Sequence, residues 1–124
     1  MNLIEIFSIL GIHWFADFIM QDEKWALGKS KCMFSLLKHT ATYTLMWVPF
    51  TLLFLPGFPG FDFLCITFIC HTITDYVTSR ITSKLYAKGK FGSSIPNLGF
   101  FTMIGFDQYL HYLQLFLTYW YLTK

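Results

Sequence analysis

Charge is scarce in this chain. Asp, Glu, Lys and Arg make up 13% of its 124 residues, against about 25% in an average soluble domain. A soluble domain this short has too little interior for so many Phe, Leu and Ile side chains. Cysteine is scarce too: Cys32, Cys65 and Cys70 form no CxxC or zinc-knuckle spacing, so no disulfide framework and no cysteine zinc site is expected. There is no period-two alternation of apolar and polar residues, which excludes a transmembrane barrel. No basic stretch and no small-x-small cleavage site flank the first apolar run, which is therefore expected to be a retained helix and not a signal peptide. A phosphate-binding loop is excluded as well. Gly28-Lys29-Ser30 has the right ending, but the glycine required five residues earlier is Glu23. The net charge of +2 carries no nucleic-acid footprint, and no nucleic-acid partner is expected.

What is present is hydrophobic mass: 55% of the residues, with 21% aromatic. Four apolar segments run over roughly 3–21, 39–55, 61–80 and 98–122, each near the ~17–25 residues of a spanning helix. The expected fold is an all-α four-helix transmembrane bundle in one domain, 1–124. Pro49 should kink the second helix, and Pro56 to Gly60 should form a tight turn. Eight of the nine basic residues fall in the loop 22–38 or from Arg80, at the end of the third segment, through the loop 81–97. In a four-helix topology both loops lie on one side, so the positive-inside rule makes them cytoplasmic and puts both termini on the non-cytoplasmic side. Lys24, Lys29, Arg80 and Lys84 stand at that face, placed to contact anionic head groups or a phosphorylated substrate.

Into this apolar background the sequence sets four histidines, one per segment: His13, His39, His71 and His111. Three have an aspartate four residues away, as His13/Asp17, His71/Asp75 and Asp107/His111. That spacing puts both side chains on one helix face. Gln21 extends the first face, and Tyr43 joins His39 on the second. The order His-x-x-x-Asp reverses to Asp-x-x-x-His in the fourth segment, where the chain runs the opposite way. Every aspartate thus lies one turn to the cytoplasmic side of its histidine.

A carboxylate at the centre of a spanning helix costs ~2.5–3.5 kcal/mol on insertion scales. Three of them only to clamp helices together would be a poor exchange, because polar contacts between membrane helices contribute ~0.6–2 kcal/mol. Two functional readings remain open. His13, Asp17, His71, Asp75, Asp107 and His111 could ligate one or two divalent ions (Zn, Mn or Fe), with His39 a further ligand or base. The same residues could instead form a proton or metal-ion channel or transporter. With metal, hydrolysis is the natural chemistry, Asp17 and His39 serving catalysis. A third reading is an oligomeric phage or host membrane scaffold without catalysis. The site is expected to open to the cytoplasm, with Trp47, Phe50, Phe54, Phe116 and Trp120 sealing the far half.

The blocks "HWFADFIMQ", "LLKHTATY", "HTITDY" and "DQYLH", in this order over nearly the whole chain, resemble domain-of-unknown-function family 3307 of small bacterial and phage integral membrane proteins. In style of motif they are loosely similar to membrane-bound metal-dependent hydrolases. The resemblance implies a multi-pass protein of the bacterial inner membrane, surrounded by lipid. It marks His13, Asp17, Gln21, His39, Tyr43, His71, Asp75, Asp107, Gln108 and His111 as the site positions. Gln21, Tyr43 and Gln108 would then hold the ligands in place.

Overall fold

The computed structural model describes residues 1–87 and 98–124. Among them every regular element is helical: α1 (Leu3–Trp14), a π turn (Phe15–Ile19), α2 (Glu23–Gly28), α3 (Met33–Leu45), α4 (Val48–Phe54), α5 (Phe58–Ala87) and α6 (Leu98–Leu122). The all-α expectation holds. The expected membrane spans are not supported, since no helix among the described residues is long and apolar enough to cross a membrane. The first two segments are each interrupted, and the two long helices carry buried polar residues along one face.

The interruptions have local causes. The α1 helix starts on a capping box between Asn2 and Glu5, which satisfies two otherwise orphaned N–H groups. Its last turn widens, so that Met20 N–H bonds Phe15 C=O, five residues back, and Asp17 lies in this turn. The second segment breaks at Met46–Trp47. Pro49 has no N–H to give Leu45 and its ring crowds that carbonyl, so α3 ends at Leu45. The chain tightens there, with Met46 N–H shared between Thr42 and Tyr43 carbonyls and Trp47 N–H on Thr44. The turn after α4 uses Gly57 at φ +82°, a left-handed conformation open to glycine. Pro59 then sits in the first turn of α5, where a missing N–H removes no helical bond.

The expected loop 22–38 contains α2 and the first turns of α3, with Asp22 capping α2 by accepting from Lys24 N–H. Of the expected loop 81–97, α5 occupies the part up to Ala87, and 88–97 lie outside the described residues. The rods close into a ring, as α5 packs on α3 and α6, α1 on α6, and the π turn on α3.

Buried positions recur at intervals of three and four: Leu36, His39, Thr40 and Tyr43 on α3, and Phe63, Thr67, His71, Asp75 and Thr78 on α5. The interior therefore has two halves. One is dry and aromatic, with Trp47, Phe50 and Phe63 rings 5.5–5.8 Å apart and Leu115 and Tyr119 around them. Phe54 and Phe116 pack against this half, but Trp120 does not belong to it. It is half-exposed, with the Lys124 ammonium over its ring. The other half of the interior is polar. All three cysteines are free.

Gly60 is where α5 meets the end of α4. A Cβ there would stand 2.4 Å from the Leu55 carbonyl oxygen, whereas one at Gly105 would meet nothing within 4 Å. Gly60→Ala should therefore destabilise the bundle by about 1–3 kcal/mol, the usual penalty for overpacking. Gly105→Ala should be neutral or stabilising, up to about 1 kcal/mol from helix propensity. Unfolding midpoints of the two variants check this, and equal midpoints would refute the close approach.

Candidate metal centre

The polar half gathers all four histidines and all three paired aspartates. His13, His39, His71, His111, Asp17 and Asp75 are each at most 4% exposed, and the Asp107 side chain is 14% exposed. Each helix delivers its residues on its inward face. The π turn does so for Asp17 by turning its carboxylate towards α3 and α5.

Four atoms from three elements converge. His39 Nε2 lies 3.1 Å from His71 Nε2, 3.2 Å from Asp17 Oδ1 and 3.1 Å from Asp75 Oδ2. His71 Nε2 lies 3.8 Å from Asp17 Oδ1 and 3.6 Å from Asp75 Oδ2. One imidazole N–H cannot serve three acceptors, so hydrogen bonding does not account for the arrangement. Asp17 Oδ1 is buried and accepts no well-aligned hydrogen bond. A tetrahedral ion with bonds of ~2.0–2.1 Å separates its ligand atoms by about 3.3 Å. These five separations straddle that value, and the residues fit a divalent ion.

The surrounding hydrogen bonds fix the next residues. Gln108 Nε2 donates to Asp17 Oδ2 (2.8 Å) and lies 3.3 Å from Asp107 Oδ2. Carboxylates only accept, so the amide oxygen must face His13 Nε2, 2.7 Å away. A neutral His13 therefore carries its proton on Nε2, and its Nδ1 accepts from the Tyr43 hydroxyl at 2.6 Å. Tyr43 also stacks on His71 at 3.8 Å between ring centroids. Both His13 nitrogens are thus engaged, whereas His39 Nε2 stands among the converging atoms.

Of the four basic residues expected at this face, Lys29 enters the site. Its ammonium is 3.0 Å from Asp75 Oδ2. Burial opposes that charge, but Asp75 and Asp17 outweigh it and hold the pKa above the usual lysine value. Arg80 instead folds over the Tyr76 ring and donates to the Tyr76 carbonyl. Lys24 and Lys84 are exposed. Thr78, one turn beyond Asp75, donates to Asp107 Oδ1 at 2.6 Å. Helical spacing from His71 and Asp75 puts Thr78 on their face, but nothing local to α5 names its partner.

A cavity of about 320 Å³ adjoins the centre at the end that carries α2. Asp17, Asp107, Gln108, Lys29 and Gln21 line it, and no histidine does. Its rim reaches the exposed Leu27 and Ser83. Gln21 therefore belongs to the cavity wall. Ser79 and Ser83 belong there too; they lie four and eight residues beyond Asp75, and that spacing is the signal in the sequence that could have found them.

Tyr43→Phe should leave His13 Nδ1 buried without a donor and cost about 1–3 kcal/mol. The checks are the unfolding free energy and the ¹⁵N shifts of the His13 ring, which should lose the single Nε2–H tautomer. An unchanged tautomer would contradict the Gln108–His13–Tyr43 order.

Among known proteins, the model of the family described as proteins of unknown function, DUF3307, matches residues 6–124. No curated protein and no solved structure matches the chain.

Proposed function

The chain belongs to the DUF3307 family, whose description names no activity, and from the geometry we propose that it is a metal-dependent hydrolase seated in a membrane. The observation that carries this reading is the convergence of Asp17 Oδ1, His71 Nε2 and Asp75 Oδ2 on His39 Nε2, within which Asp17, His39 and His71 lie close enough together to share one ion. With the ligand histidines neutral, three carboxylates and the Lys29 ammonium leave two negative charges in a buried pocket. A divalent ion neutralises them and supplies Lewis-acid charge for hydrolysis. Around it, Gln108 orients Asp17 while Tyr43 and Gln108 fix His13. Lys29, on the cavity wall, is placed to hold an anionic oxygen of a head group or phosphorylated substrate.

The exterior supports the membrane setting, with the bacterial inner membrane as the proposed location. Large apolar residues stand outward, among them Phe7 (67% exposed), Leu53 (76%), Phe61 (64%) and Leu117 (55%), while the four histidines, Asp17, Asp75 and threonines such as Thr40 and Thr67 are buried. A water-soluble bundle has the reverse distribution. The hydropathy of α5 and α6 is lowered by polar residues, several of which face the bundle and not its surroundings. The 30-residue α5 extends ~45 Å at 1.5 Å per residue.

A proton or ion pathway is the second reading, favoured by the hydrogen-bonded run Tyr43–His13–Gln108–Asp17 that leads to the cavity. The dry aromatic half argues for the enzyme. A transporter needs access from two sides, and Trp47, Phe50 and Phe63 fill the bundle opposite the cavity.

Purified protein should carry stoichiometric transition metal by elemental analysis. Asp75→Asn should weaken binding at least ~100-fold, since even residues that only support ligands cost ~10–100-fold. Metal-free protein at full occupancy of the fold would end the hydrolase reading. In sealed inverted vesicles an impermeant chelator should strip the ion quickly, and in right-side-out vesicles it should not. Rapid stripping from the outer face would refute a cytoplasmic opening, and equal access from both faces would favour the pathway.

A further inference from the structure

The two oxygens of Asp75 face different ligand sets. Oδ2 belongs to the group with His39 and His71, while Oδ1 lies 3.2 Å from His111 Nε2. His111 Nε2 in turn lies 3.5 Å from Asp107 Oδ2. Both separations again straddle the ~3.3 Å between neighbouring ligands of one ion. His71 and His111 are stacked nearly parallel, 4.1 Å between centroids and 19° between planes, and both present Nε2 to Asp75. Two imidazoles side by side at this spacing supply one nitrogen each to ions ~3.5–4 Å apart, the separation found in two-metal sites.

We propose that the centre takes two divalent ions bridged by the Asp75 carboxylate, the second held by His111, Asp107 and Asp75 Oδ1 and completed by an anionic oxygen of a phosphate-type substrate. This rests on the single-ion reading above and adds a division of labour to it. The first ion has four protein ligands and is closed. The second has three and keeps a position open, as catalytic sites do. Each ion would have one ligand on the cavity wall, Asp17 for the first and Asp107 for the second, and the second is the one with a position left for a ligand arriving from the cavity. Charge sets the ligand class. One divalent ion already balances the three carboxylates and the Lys29 ammonium, so a second leaves a positive excess next to the cavity. An anion that brings its own oxygens removes the excess, and phosphate suits a clamp of two ions. Second-ion binding and phosphate binding must therefore strengthen each other equally.

The test uses the full chain in detergent micelles, loaded with Mn²⁺ with and without inorganic phosphate. The expected result is two ions per chain and an exchange-coupled electron paramagnetic resonance spectrum, with the second ion binding at least tenfold tighter in phosphate. Asp107→Asn and His111→Ala should each leave one ion and an uncoupled spectrum, with helical circular dichroism retained. Asp107, partly exposed at the cavity, keeps the test valid should His111→Ala misfold. One ion in the wild-type protein, uncoupled and unaffected by phosphate, would overturn this proposal and leave the single-ion reading standing. No ion at all would overturn both.

Discussion

The Asp75 carboxylate is the contact on which the interior is built. It is fully buried on the longest helix, within 3.0–3.6 Å of Lys29, His39, His71 and His111. A buried charge is tolerated only when its surroundings answer it. Here the answer comes from α3, α6 and the segment after α2 at once, so one residue fixes how three parts of the chain sit around α5. The aromatic half of the core has no such demand. Trp47, Phe50 and Phe63 pack by shape and exclude water from behind the polar half.

This division explains why the site opens at one end. The histidines lie towards the aromatic layer, Tyr43 stacking on His71 at the boundary, while Asp17 and Asp107 lie on the cavity side. For His13/Asp17 and Asp107/His111 the one-turn offset is thereby turned into a gradient from dry to accessible, while Asp75 stays buried. The π turn is part of the same design. Widening one turn redirects Asp17 without ending the run that also buries Ile9 and His13, and such turns recur at functional sites.

Several features were legible in the residues themselves, because they follow from local geometry. Helical periodicity put His71, Asp75 and Thr78 on one face of α5, and Pro49 required a break near Leu45. The reversed order of Asp107 and His111 placed their carboxylate and imidazole at the depth of the other pairs. Chemistry-bearing residues that recur once per helix must meet if the helices close into a ring, and they do. The long-range choices were not legible. That Lys29 enters the site while Arg80 turns to Tyr76 depends on where α2 lies, and a basic loop reads the same in either case.

The sequence by itself therefore determined an all-helical chain, the breaks near Pro49 and Gly57, and the set of four histidines and three aspartates that share the interior. Those properties depend on residue type and on spacing of three to five positions. Only the tertiary structure decided which nitrogen meets which oxygen: that His39 joins the converging atoms, that His13 is held by Tyr43 and Gln108, and that Asp75 presents its two oxygens to different partners. The separations between these atoms are set by the rotation and offset of helices packed against one another, and no single helix carries that information.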